Sequence, residues 1–308
     1  MLTDLLVSCI ILVNLERGTR TVAELYHIHF KIAGIGIRID SPAELTIPQE
    51  MLPFLASFSC PHVIYTVKLI DSPIIPAGSC VHSEAGTSTY SDGDGWLRLY
   101  AYLEDCDGVQ AALRLSPTGN HTLYLPQSDI ARYQSTNALS PILGLDYVMM
   151  QHNCMFLHSS LVRYQGKAVL FSGPSGIGKS TQADLWRKHL GAEILNGDKS
   201  CIAKRADGYH ACGSPYAGSS DIFLPEEAPI AGIVLLKQGA ENRIVSLSQR
   251  QAFVSLYAQL LANTWDSWYT DRLCCLLSDI LTNIPVYELT CTPDEDAVLL
   301  VRDTLYNI

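Results

Sequence analysis

Gly173-Pro174-Ser175-Gly176-Ile177-Gly178-Lys179-Ser180 satisfies the pattern G-x-x-x-x-G-K-[ST]. The residues on either side fit it. Positions 168–172 form a short apolar run that reads as a strand, and 181–190 read as a helix. Strand, glycine-rich loop and helix is the order in which such a loop becomes a phosphate cradle. Glycines let successive backbone N–H groups turn inward, and the helix N-terminus adds partial positive charge. In this reading Gly173, Pro174, Ser175, Gly176, Ile177, Gly178, Lys179, Ser180 and Thr181 hold a nucleotide. Lys179 reaches the β/γ oxygens and the Ser180 hydroxyl ligates Mg²⁺. The bland alternative is a glycine-rich turn that binds nothing. The agreement of motif and context weighs against it.

Downstream, Gly191-Ala-Glu-Ile-Leu-Asn-Gly-Asp198 reads as a strand ending in an acid, with Glu193 facing solvent. Asp198 is the first candidate to coordinate Mg²⁺ or to polarise an attacking hydroxyl. Its alternative role is a turn aspartate before Lys199. Upstream, a strand over 157–163 joins the strand over 168–172 around Gln165-Gly166. That hairpin would bring His158 near the phosphate end, although a lone histidine is more often structural.

Further out, the period of the pattern divides the chain. From 25 to 135 short alternating segments are separated by turn formers, among them Asp92-Gly-Asp-Gly95, Asp105-Cys-Asp-Gly108 and Pro117-Thr-Gly-Asn120. This predicts a mostly antiparallel β domain over 25–138. One short helix opening at Pro48 is expected within 42–59. From 139 on, strands alternate with helices, which predicts an α/β domain over 139–308. Ser140 and Pro141 suggest a helix start running to about His152. Helices are also expected over 248–262 and 266–283, and Thr292-Pro-Asp-Glu opens the last one. Residues 1–24 stand apart as an N-terminal extension. Their apolar run 5–13 is too short for a membrane span and lacks the basic flank of a signal peptide. It reads equally as a docking strand or helix, or as the product of an upstream start codon.

Composition bounds the function. The 308 residues carry 21 Lys+Arg against 31 Asp+Glu, a net charge of -10, and 48% are hydrophobic. That length suits about two domains, and the apolar fraction excludes a largely disordered chain. Basic and acidic residues number 8 and 14 over 1–138, and 13 and 17 over 139–308. Neither half has the basic excess of a nucleic-acid surface. Ten cysteines without a C-x-x-C pair read as buried thiols of a reducing cytoplasm, not as a zinc site. Cys274 and Cys275 read as core packing. Trp265 and Trp268 read as helix packing one turn apart. His27 and His29 share a strand face, but two ligands do not make a metal site. Arg243 and Arg250 are possible phosphate clamps that nothing singles out.

Over about 150–308 the chain resembles the kinase domain of the HPr kinase/phosphorylase family. The resemblance rests on His158 opening a strand, on Ser175-Gly-Ile-Gly-Lys-Ser180, and on Leu195-Asn-Gly-Asp198. The ATP-dependent phosphoenolpyruvate carboxykinases share this kind of core more distantly. The β-rich half looks more like kinase homologues encoded beside modified-peptide and lasso-peptide gene clusters. The resemblance implies phosphoryl transfer from ATP to a serine hydroxyl. His158 falls at the family histidine near the transferred phosphate, and Lys179 and Ser180 fall at the phosphate and Mg²⁺ positions. Asp198 matches the second of two adjacent aspartates, and the first is Gly197 here. The family's Glu-Leu-Arg-Gly stretch is replaced by Gly213-Ser-Pro-Tyr-Ala-Gly-Ser-Ser-Asp221. Asp221 is a further candidate metal acid, or part of a plain surface loop.

The expected function is therefore a Mg²⁺- and ATP-dependent kinase with His158, Lys179 and Asp198 in catalytic roles and Ser180 and Asp198 on the metal. Its acceptor is a hydroxyl, most readily serine, of a peptide, protein or small molecule. The alternatives are a nucleotide-binding regulatory or scaffold protein without transfer, and a carboxykinase-like metabolic enzyme. Neither nucleic acid nor membrane is an expected partner, and homo-oligomer formation stays open.

Overall fold

In the computed structural model, which describes residues 7–14, 21–84, 86–91, 93, 95–101, 109–135 and 137–306, the alternating segments of the front half pair into one nine-stranded sheet. Its strands are β1 (Val7–Asn14), β2 (Thr21–Ile32), β3 (Ile35–Ser41), β4 (Val63–Ile70), β5 (Ser79–Glu84), β6 (Thr87–Ser91), β7 (Trp96–Ala101), β8 (Val109–Leu115) and β9 (Asn120–Pro126). They lie in the order β1-β2-β3-β4-β9-β8-β7-β6-β5. Every pairing is antiparallel except β3–β4 and β4–β9. Alternation sets the buried face: Phe30, Ile37, Ile39, Val63, Tyr65 and Leu123 are fully buried. A 3-10 turn at Gln49–Phe54 adds Met51 and Phe54 to the buried set. Of the apolar run 5–13, the part from Val7 on is the edge strand β1. Leu5 and Leu6 lie outside the described residues. So do Asp92 and Asp94 of one expected turn and all of 105–108.

Contacts divide the chain into two units, Met1–Gln151 and His152–Ile308. The segment after 138, read from sequence as the start of the second domain, packs within the first unit. Tyr65 Oη donates to Leu143 O at 2.6 Å, and the buried Arg98 pairs with Asp146 at 3.1 Å. No continuous helix runs from Ser140. A 3-10 turn at Ser140–Ile142 is followed by Gly144 at φ 58° before a one-and-a-half-turn helix (Leu145–Met150). A left-handed residue cannot continue an α-helix. With the short helix Ile130–Ser135 as α1, this one is α2.

The second unit is built on two long strands. Its strands are β10 (Cys154–Tyr164), β11 (Lys167–Ser172), β12 (Glu193–Asn196), β13 (Lys199–Arg205), β14 (Gly208–Cys212), β15 (Glu227–Gln238), β16 (Arg243–Ser246) and β17 (Val286–Cys291). Its helices are α3 (Lys179–Leu190), α4 (Gln249–Tyr257), α5 (Ser267–Asn283) and α6 (Glu295–Tyr306). The first half of β10 pairs with β13, and its second half pairs with β11 and β12. Likewise β15 starts against β14 and continues in parallel between β11 and β17. β11, β15 and β17 are thus parallel neighbours, with helices as their connections.

Gln165 and Gly166 both have positive φ, 48° and 75°. That is the turn that joins two closely paired antiparallel strands. It closes the β10–β11 hairpin as the sequence predicts. Helix α4 ends at Tyr257, short of the expected 262. The chain after it runs extended beside β10: His158 N donates to Gln259 O at 2.9 Å and Leu261 N to Phe156 O at 3.2 Å. Those bonds satisfy the β10 edge that β11 does not reach. The last helix is capped by Asp294, whose Oδ1 accepts from Ala297 N at 3.0 Å, with Thr292 bonded to the same carboxylate.

Candidate functional site

The loop 173–180 leaves β11 and enters α3. Gly176 and Gly178 take φ of 78° and 115°, and a Cβ at either would meet nothing within 4 Å. These glycines serve backbone conformation, and the space above the loop is open. Pro174, Ser175, Gly176, Ser180 and Thr181 are exposed, whereas Ile177 and Gly178 are half-buried. Lys179 is 8% exposed and folds back under the loop. Its Nζ donates to Gly173 O at 3.0 Å and Pro174 O at 3.1 Å. An ammonium has three donors, so one is left over. Burial lowers the Lys179 pKa, and the nearby Asp198 opposes that shift.

The hairpin register sets Ser159 opposite Ser172, and Ser172 Oγ donates to His158 O at 2.8 Å. This anchors His158 beside the start of the loop, as the sequence predicts. From the other strand, β12 and β13 run one after the other along β10, and Gly197-Asp198 is the joint between them. Ser159 N donates to Asp198 O at 2.8 Å, and Ser160 Oγ to Gly197 O at 3.2 Å. The Asp198 carboxylate lies 3.4 Å from His158 Nε2 and 3.1 Å from Lys199 Nζ. Lys199 Nζ also lies 5.2 Å from the centre of the Tyr216 ring. Burial and then Lys179 lower the His158 pKa from its ordinary 6.5, against the pull of Asp198. His158, Lys179 and Asp198, far apart in sequence, are electrostatic neighbours in the fold.

Two residues that sequence reasoning passed over position this group. Asn196 is fully buried. Its Nδ2 donates to Ser214 O at 3.0 Å and Tyr216 O at 3.1 Å, and its Oδ1 accepts from Asp198 N at 3.0 Å. It ties the Asp198 joint to the 213–221 loop. Nothing about an asparagine at a strand end signals this, because its partners are backbone groups of a distant loop. Lys199 is the second, and its adjacency to Asp198 was the only available sign. Glu193 is exposed as expected, and it pairs with Arg163.

Gly197 has a structural cause. A Cβ there would lie 1.8 Å from Ser220 Oγ and 2.5 Å from Ser220 Cβ. Ser220 is fixed in turn, since its Oγ donates to Ala217 O at 2.7 Å. The 217–221 turn thus occupies the space that an aspartate would need. The same turn presses on Asp198 through Gly218, whose own Cβ would fall 2.8 Å from Asp198 Cβ. Asp221 ends the turn at φ 52° and is exposed. Gly197→Ala should cost about 1–3 kcal/mol by overpacking. Ser220→Gly in the same chain should recover most of it, as measured by urea denaturation.

Other expectations sort by burial. Cys154, Cys201 and Cys212 are buried thiols, but Cys60, Cys80 and Cys275 are exposed, against the expectation. On α5 the buried face is filled by Leu273, Leu276 and Leu277, which leaves Cys275 on the solvent side. Trp268 is 46% exposed, and Trp265 precedes the helix cap Asp266, so the two do not form a packed turn. Arg243 and Arg250 are exposed. Among the described residues no three or more His, Cys, Asp or Glu gather around one cation position, and no helix is long and apolar enough to cross a membrane.

Residues 127–292, more than half of the chain, match the family model described as SynChlorMet cassette protein ScmC. No curated protein matches the chain. Among solved structures, that of the Hpr(Ser) kinase/phosphatase from Coxiella burnetii is similar at 11% identity and a TM-score of 0.30. The match covers 49% of this chain and 88% of that one.

Proposed function

We propose that this chain, which belongs to the ScmC family, transfers the γ-phosphoryl group of ATP to a hydroxyl, most readily a serine of a peptide or protein. One observation carries the reading. A glycine loop with a spare lysine donor opens beside a histidine–aspartate–lysine group, brought together by the β10–β11 hairpin and by the joint between β12 and β13 along β10. In this reading a phosphate on the loop would lie next to a group able to orient an acceptor.

The oxygen donors suit Mg²⁺, a hard cation that keeps water and phosphate oxygens among its ligands. Here the Ser180 hydroxyl and the Asp198 carboxylate would hold it. When bound, Mg²⁺ neutralises phosphate charge. The chain's own residues do the rest. Backbone N–H groups of 176–180 bind phosphate oxygens at the start of α3. Lys179 contributes its third donor. Asp198 orients the attacking hydroxyl and accepts its proton as the new P–O bond forms and the bond to the leaving diphosphate breaks. His158, whose pKa burial and Lys179 lower, keeps the carboxylate in place. Lys199 and the backbone bond to Ser159 hold it from the other side.

The test uses γ-labelled ATP, Mg²⁺, pooled serine-containing peptides and free serine. Label transfer that falls about 100-fold in Asp198→Asn, with ATP binding kept, is the expected outcome. Unchanged transfer in Asp198→Asn would remove the aspartate from its role. ATP binding without transfer to any acceptor would favour a nucleotide-binding regulator, the reading that the Gly197 departure suggests.

A further inference from the structure

The turn 217–221 is tied at both ends to the joint that carries Asp198. Before it, Tyr216 O accepts from Lys199 N at 3.4 Å and from Asn196 Nδ2 at 3.1 Å. After it, Ile222 O accepts from Gly197 N at 3.3 Å, and Leu224 N donates to Leu195 O at 2.9 Å. Only the five residues 217–221 bridge these anchors, so Ser220 stays within reach of Asp198 however the turn bends. The contact is already close. A Cβ on Gly197 would stand 1.8 Å from Ser220 Oγ, and one on Gly218 would stand 3.3 Å from Asp198 Oδ1. The turn therefore lies over the aspartate with a serine hydroxyl beside it.

Ser220 differs from the other serines around this joint. Ser159, Ser160, Ser200 and Ser214 are fully buried, and their hydroxyls donate to carbonyls of the strands and the joint. None of them can swing out without breaking the sheet. Ser220 is half-buried, and its bonds stay within its own turn. Its Oγ donates to Ala217 O at 2.7 Å and accepts from Ile222 N at 3.3 Å. Such bonds are exchanged for bonds to water when a turn opens, at small net cost. Asp221, the next residue, holds a left-handed φ of 52°. An L residue adopts that conformation at a cost, which opening the turn releases.

We propose that Ser220 is a phosphoryl acceptor within the chain itself, modified in cis by the ATP of the same molecule. This rests on the phosphotransferase reading above and names a substrate for that site. Ser220 Oγ leaves Ala217 O and attacks the γ-phosphorus. The new O–P bond forms as the bond to the departing ADP oxygen breaks, and the hydroxyl proton passes to the Asp198 carboxylate. Phosphoserine and ADP are the products. The tether at both ends supplies a high effective concentration of the hydroxyl, so transfer needs no encounter with a second molecule.

The test incubates the full chain with ATP and Mg²⁺, alone and with the pooled serine-containing peptides, and locates phosphate by peptide mass spectrometry. The expected result is one phosphate per chain, on Ser220. It should form at a first-order rate that does not change when the chain concentration is raised about 10-fold. Ser220→Ala and Asp198→Asn should lose it, and Ser219→Ala should keep it. Phosphorylated peptides with Ser220 unmodified would overturn the Ser220 assignment and leave the phosphotransferase reading standing, as would phosphate on another residue of the chain. A rate that rises with chain concentration places the transfer between molecules and also overturns the assignment in cis. A chain that modifies neither itself nor any peptide overturns the phosphotransferase reading, and the Ser220 assignment with it. The wild-type chain carries the readout, so a variant that does not fold leaves the test intact.

Discussion

Lys179→Ala should lower label transfer from ATP by about 1,000-fold, the largest functional effect expected of any single change here. Three roles meet in that side chain. Two of its donors tie Gly173 O and Pro174 O and so shape the loop. The third is free for a phosphate oxygen. Its charge also reaches His158, whose basicity it lowers. Alanine removes all three, and Lys179→Met keeps the bulk while removing the donors and the charge. Both variants should therefore lose transfer alike, and both should bind ATP weakly. Thermal unfolding separates chemistry from folding. The two carbonyl bonds are worth a few kcal/mol at most, so the variants should stay folded at the assay temperature. A folded Lys179→Ala chain with near wild-type transfer would remove the lysine from the site.

The loop was legible in the sequence because its physics is local. Eight consecutive residues carry the conformation, the charge and the helix start, and the flanking strand and helix confirm it. The placement of His158 was legible for a similar reason, since one turn at Gln165-Gly166 fixes the register of β10 against β11. The mostly antiparallel front sheet was legible from alternation. Its two parallel pairings, β3–β4 and β4–β9, were not, because alternation reports which face is buried and not which strand lies alongside. Helix ends were misread where tertiary contacts override the pattern. Gly144 breaks the helix expected from Ser140, and the segment 259–261 leaves α4 to pair with β10. The double pairing of β10 and β15 left no trace in the sequence. Yet the joint at Gly197-Asp198, where β12 gives way to β13 along β10, is what sets the aspartate opposite the loop. Asn196 was invisible for the same reason. It acts through groups remote in the chain.

Trp186→Ala should cost about 3–5 kcal/mol of the second unit's stability. Trp186 is fully buried on α3, and it is the side chain through which that helix grips the hairpin. Its ring meets Phe171 of β11 edge-on at 5.6 Å and Tyr164 of β10 at 5.8 Å. Tyr164 is held in turn by Tyr306 of α6, ring to ring at 5.3 Å and by Tyr306 Oη donating to Tyr164 O at 3.0 Å. Removing the indole opens a cavity among Val162, Val169, Phe171 and Ile194, all members of one core cluster. Those neighbours sit on strands that cannot collapse inward without breaking their pairing, so the cavity should persist. Trp186→Phe should cost less, since a ring still meets Phe171 and Tyr164. The variant also tests how the site depends on the core. Trp186→Ala changes no residue of the loop 173–180, so on the proposed reading ATP at about 100 times its dissociation constant should return about 2.7 kcal/mol of stability by mass action. The same ATP should return almost nothing to Lys179→Ala. Denaturant midpoints of the two variants, with and without nucleotide, should therefore move in opposite order. The tryptophan variant should be the weaker without ATP and gain strongly with it, whereas the lysine variant should be the firmer without ATP and gain little. Equal gains in both would mean that nucleotide, if it binds, does so away from this loop.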